Sequence, residues 1–145
     1  MRVDFYQLSR DPVEQVVPLL ARKALQAGQR LLVVSEDEER RAAISRALWS
    51  EGGAHFLAHG EAGEPHAARQ PILLSETCTA PNEARMVVLA DGRWREEAGG
   101  FERAFLLFDA AATQDARELW RSFRNREAIE SHAWKQEGNG WTEVG

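Results

Sequence analysis

Arg30-Leu31-Leu32-Val33-Val34 limits the possible folds more than any other segment of this sequence. A strand with one wet face alternates polar and apolar residues, and this run does not alternate. It is the pattern of a strand buried on both faces, which belongs to a parallel sheet covered by helices on its two sides. Parallel neighbours need helical crossovers, and the flanking sequence supplies two of them. Asp11-Pro12 with Glu14 predicts an N-cap, a first-turn proline and a capping box, opening a helix that runs through Ala27 and stops at Gly28. Pro18 is expected to kink that helix or break its first turns. After the apolar run, Ser35 with Glu38 predicts a second capping box and a helix over Glu36 to Trp49. Its residues Ala43, Ile44, Ala47 and Leu48 share one face.

Further strands are predicted over Arg2–Leu8, Gln70–Leu74, Arg85–Ala90 and Phe105–Phe108, and a last long helix over Thr113–Arg126. The strand–helix order predicts an α/β fold: a mostly parallel twisted sheet flanked by helices, resembling a nucleotide-binding fold. A chain of 145 residues with 43% hydrophobic residues fits a single domain, 1–145, whose tail over 135–145 adds a short strand or drapes. Its longest apolar runs fall far short of the ~20 residues that cross a bilayer. Asp4 stands where an export leader needs an apolar stretch, so no leader is expected. Cys78 is the single cysteine, which excludes an intrachain disulfide and a cysteine-based zinc site and fits a reducing cytoplasm.

A search for catalytic groups returns little. Neither G-x-G-x-x-G nor G-x-x-x-x-G-K-[ST] occurs, so the scaffold lacks the loop that cradles phosphates. His55, His59 and His66 lie near Glu61 and Glu64, a set with metal-ligand chemistry, but the spacing fits no convincing helix and solvated loop residues explain it more simply. The Glu36-Asp37-Glu38-Glu39 run could hold magnesium, yet acids in a helix's first turn already complement its dipole. Cys78 has no histidine near it in sequence to activate it as a nucleophile. No cofactor is expected.

The distinctive surface is in the last helix. Arg117, Trp120, Arg121 and Arg124 are spaced i, i+3, i+4 and i+7, so they form one stripe, with Ala116, Leu119 and Phe123 on the adjoining core stripe. The whole chain carries a net charge of -5, so this local basic character is unusual in it. An aromatic between core and cations can floor a pocket for a ligand that joins an apolar group to a carboxylate. The alternative is a solvated arginine face with Trp120 buried as core. An acidic peptide suits so small a patch better than DNA, because the rest of the chain repels phosphate.

The order of several short motifs resembles the chi subunit family of bacterial DNA polymerase III. These are Val3-Asp4-Phe5-Tyr6-Gln7-Leu8, Gly28-Gln29-Arg30-Leu31-Leu32-Val33 with Glu36-Asp37, Ala47-Leu48-Trp49, Phe56-Leu57-Ala58-His59, Gln70-Pro71-Ile72-Leu73-Leu74 and Arg117-x-x-Trp120-Arg121. Ala58 stands where the family has proline, and the approach Asp109–Thr113 is shorter than in better-known members. The resemblance implies a non-catalytic cytoplasmic adaptor in DNA replication. Its partner is the acidic C-terminal tail of single-stranded-DNA-binding protein, which ends in Ile-Pro-Phe with a free carboxylate. It further implies that Arg117 pairs with that carboxylate, Trp120 lines the pocket for the last phenylalanine, and Arg121 and Arg124 attract upstream aspartates. A link to the clamp loader through a small psi subunit is also implied, with Trp49 and Phe56 as candidates for that surface and a core position as the other reading of Trp49. The rival reading is a small nucleotide- or metal-binding enzyme on the same scaffold. Direct strong binding of nucleic acid is not expected.

Overall fold

The computed structural model describes residues 1–9, 11–50, 57–137 and 140–144. Eight strands join in one sheet: β1 (Arg2–Gln7), β2 (Leu31–Val34), β3 (His59–Glu61), β4 (Ile72–Ser75), β5 (Met86–Leu89), β6 (Arg103–Phe108), β7 (Glu130–Glu137) and β8 (Gly140–Val144). Their order across the sheet is β3-β4-β2-β5-β6-β1-β7-β8. Every pairing is parallel except the β7–β8 hairpin. All four residues of β2 are at 0% exposure, as an unalternating run in the middle of a sheet requires.

Helices cover both faces. Helices α1 (Val13–Gln26) and α2 (Glu38–Ser50) set Val16, Leu20, Ile44 and Leu48 against Leu31, Val33, Leu74 and Leu107 on one side. On the other, α3 (Thr113–Arg124) sets Ala116 and Phe123 against Phe5, Leu32, Val34 and Leu106. The odd and even residues of β2 therefore feed two different cores, which is why the run is apolar throughout.

Local signals resolve in instructive ways. Gly28 ends α1 with φ +75°; its N–H donates to the Leu25 carbonyl and that of Gln29 to Ala24, a Schellman closure that needs the left-handed residue. Pro18 does not break α1, which runs through it: in the second turn only the Glu14 carbonyl loses its partner. Asp11 is not the cap of α1. Its carboxylate accepts instead from Gln136 Nε2 at 2.8 Å, and Pro12 occupies the N-cap position. Ser35 is held in the sheet by its N–H to the Ser75 carbonyl, so the cap of α2 moves to Asp37, whose Oδ1 accepts from the Glu39 amide at 3.0 Å.

Two strands escape the sequence pattern. β3 is three residues of a glycine-rich stretch. β7 begins at Glu130 and pairs with β1, and the residues after Trp134 complete it and form β8 rather than draping. The core reading of Trp49 is also corrected: it is 60% exposed in the last turn of α2, because Ile44 and Leu48 already take the sheet-facing positions and Trp49 is turned away from them. Its ring meets that of His59 edge-on, 5.5 Å away. Phe56 and His55 lie outside the described residues.

Candidate functional site

Helix α3 starts at the C-terminal end of β6 and lies across β1, which places its first turns beside Phe5, Gln7 and Phe108. Ala116 and Phe123 are buried, Leu119 and Trp120 are half-buried, and Arg117, Arg121 and Arg124 are exposed. This is the amphipathic arrangement the sequence predicts. Trp120 is not plain core. It packs edge-on against Phe5, ring centroids 5.3 Å apart, and turns its remaining surface to a groove.

That groove has a volume of about 260 Å³. Arg117 and Trp120 line it together with Phe5, Phe108 and, from the C-terminal hairpin, Ala133 and Val144. It falls just under the ~300 Å³ lower end of small-molecule sites, a size suited to one or two side chains rather than a cofactor. Thr113, the first residue of α3, also lines it, so the positive end of the helix dipole adjoins Arg117. Among the described residues, Arg117, Arg121 and Arg124 have no hydrogen-bonded or ion-paired side chain, and Glu118 instead accepts from Gln114 at 3.3 Å. Three guanidinium groups therefore remain available on one stripe. Arg117 alone of the three reaches the groove; Arg121 and Arg124 stand on the exposed surface beyond it.

Sequence reasoning missed the opposite wall. Phe5, Phe108, Ala133 and Val144 come from four strands, β1, β6, β7 and β8, and the only available signal was the alternation of β1, which assigns Phe5 to a face without saying what lies over it.

The other site types dissolve on inspection. His59 is held at both ring nitrogens, by Ser45 Oγ at 2.8 Å and the Leu57 carbonyl at 2.9 Å, and among the described residues no group of three metal-ligating side chains comes together. In the acidic run, Asp37 caps α2 and Glu36 pairs with Arg93. Cys78 is buried, and burial pushes its thiol up to about 11, far from a reactive thiolate. A cleft of about 570 Å³ does open at the C-terminal ends of the strands, where doubly wound folds bind nucleotides. It is lined by Asp11, Glu14, Asp91, Asp109 and Asp115 against Arg40, a lining that repels phosphate. Asp91 stays ionised there: burial pushes its carboxyl up, but hydrogen bonds from Arg95 and from the Glu36 and Arg93 amides bring it below the ordinary value.

These features define a doubly wound α/β scaffold with an apolar groove beside α3 that carries Arg117. The DNA polymerase III chi subunit family (HolC) matches residues 1–129, and the chain belongs to that family, a non-catalytic accessory subunit of DNA polymerase III. It is 23% identical over 84 residues to the probable DNA polymerase III subunit chi of Rickettsia prowazekii (strain Madrid E). The aligned part is 58% of this chain and spans about half, 51%, of that relative. Strands β7 and β8 lie beyond the residues the family matches.

Proposed function

We propose that the groove beside α3 binds the acidic C-terminal tail of single-stranded-DNA-binding protein, so that this chain links that protein to the clamp-loader complex of the polymerase. The observation that carries the reading is the meeting of Arg117 and Trp120 in one apolar groove with no carboxylate side chain among the described residues that line it. Arg117 pairs with the terminal carboxylate of the tail, in the bidentate geometry that guanidinium favours. The terminal phenylalanine enters between Trp120, Phe5 and Val144. Arg121 and Arg124 act at longer range on the upstream aspartates and tune encounter rather than fit. Bare nucleic acid binds weakly, because an overall charge of -5 opposes it outside this stripe. The remaining contact, to the clamp loader through a psi-like subunit, is assigned to the exposed Trp49 end of α2 and, on the family resemblance, to Phe56, which lies outside the described residues. The reading places the chain in the cytoplasm as one folded domain over 1–145.

Nitrogen-15 spectra during titration with Asp-Asp-Asp-Ile-Pro-Phe test the location. The indole signal of Trp120 is expected to move while those of Trp134 and Trp141 stay in place. Binding that leaves Trp120 unmoved, or no binding at all, would overturn the assignment.

A further inference from the structure

A second groove opens on the opposite face of the sheet, with a volume of about 780 Å³. It exists because α1 crosses from β1 toward β2, and α2 continues in the same direction, leaving the β7-β8 edge beyond α1 without a helix on that side. Aromatic rings fill part of the gap. Tyr6 stacks with Trp134 at 6.2 Å and meets Trp141 edge-on at 5.0 Å, while Phe105 lies 5.9 Å from Tyr6. Facing these rings is an aliphatic wall from α1 of Val16, Leu19 and Leu20, of which Leu19 is 43% exposed.

The rim is cationic: Arg2, Arg22, Lys23 and Arg103 line the groove, and among the described residues no carboxylate does. Beneath it, Asp4 at 0% exposure accepts from Arg2, from Arg103 at 2.8 Å and from Trp134 Nε1 at 3.0 Å. Two guanidinium groups share that one carboxylate, and Glu130 adds a second acid to the surroundings of Arg2, so these two arginines are held by the fold and Lys23 presents the exposed positive charge of the rim.

We infer that this groove docks an acidic segment of a partner protein that carries one bulky apolar side chain. The charge complementarity selects the acidic residues, and the slot between the aliphatic and aromatic walls takes the anchor. A single-stranded nucleic acid fits less well. Its bases need open aromatic faces, whereas these rings are turned on one another, and the chain's net charge of -5 opposes a polyanion. Because Trp134, Gly140 and Trp141 come from the β7–β8 hairpin, this site depends on residues outside the family-matched region. It is independent of the α3 groove, which lies on the other face.

The internal, end-blocked probe acetyl-Asp-Glu-Ser-Phe-Asp-Glu-amide tests it on the full chain, read on the five tryptophan indole signals. Trp134 and Trp141 are expected to shift, with Trp120 unmoved. The exposed double variant Leu19→Glu, Lys23→Glu is expected to keep the wild-type melting temperature and to bind at least about tenfold more weakly. Equal binding by that variant, shifts that spare Trp134 and Trp141, or no shift at about millimolar peptide would each overturn the proposal. So would tighter binding of a thymidine oligonucleotide than of the peptide at the same signals.

Discussion

Arg117 and Arg103 sit on opposite sides of the same sheet and do opposite things. Arg103 is held: it donates to the fully buried Asp4, and its guanidinium lies 4.5 Å over the Phe105 ring. Arg117 is exposed, at the mouth of an apolar groove, without a carboxylate partner among the described residues. An arginine whose partner lies within the chain stabilises the fold. One whose surroundings leave its donors open can be satisfied only by something that arrives. The geometry around each guanidinium, rather than the count of arginines, separates structure from recognition.

The largest expected effect lies on the structural side of that contrast. Asp4→Asn removes the carboxylate that Arg2, Arg103 and Trp134 share, at an expected stability cost of about 2–3 kcal/mol. The cost stays at the low end for a buried ion pair because both arginine side chains keep about a third of their surface exposed. The same group sets a pH dependence. Burial pushes the Asp4 carboxyl up, but hydrogen bonds from Arg2, Trp134 and Arg103 hold it below the ordinary aspartate range. Its contribution is therefore complete above roughly pH 4 and is lost as the pH falls toward the depressed folded value. Melting temperature against pH should fall in that acid window for the wild type and fall less for Asp4→Asn. Equal slopes would remove Asp4 from the account.

Next in size, Arg117→Ala is expected to weaken tail binding by about 1.5–3 kcal/mol without changing the melting temperature. Arg124→Ala, beyond the groove, should cost at most about 0.5–1 kcal/mol and mainly lower the salt dependence. Equal losses for the two in calorimetry would mean that charge alone binds the tail and that the groove adds nothing. The smallest effect concerns Cys78. With its thiol buried and pushed up to about 11, alkylation by iodoacetamide at neutral pH should be far slower in the folded chain than in denaturant. Rapid alkylation of the folded chain would show that the loop opens.

The central sheet and the α3 stripe were legible because each follows from a local pattern. Leu31–Val34 is apolar throughout because its two faces meet two cores, and Arg117, Trp120 and Arg121 fall together by helical spacing alone. What was not legible depends on distant residues. β7 reads Glu130-Ser131-His132-Ala133-Trp134-Lys135-Gln136-Glu137, too polar to signal a strand, because it lies next to the sheet's edge and keeps much of its surface in water. Asp11 carried a sound capping signature, yet Gln136, far along the chain, took its carboxylate. Half of the α3 groove escaped for the same reason: Val144 reaches it only through the hairpin that pairs Val144 with Ala133. The α3 stripe by itself pointed to an acidic peptide, and the family resemblance supplied which peptide is proposed.

The central claim is that Arg117 and the start of α3 read a terminal carboxylate. Calorimetric titration of the chain with Asp-Asp-Asp-Ile-Pro-Phe as the free acid and as its C-terminal amide tests it most directly. Micromolar binding of the acid with loss of most of that affinity in the amide is the predicted result. Equal affinity for both forms, or none for either, would contradict it.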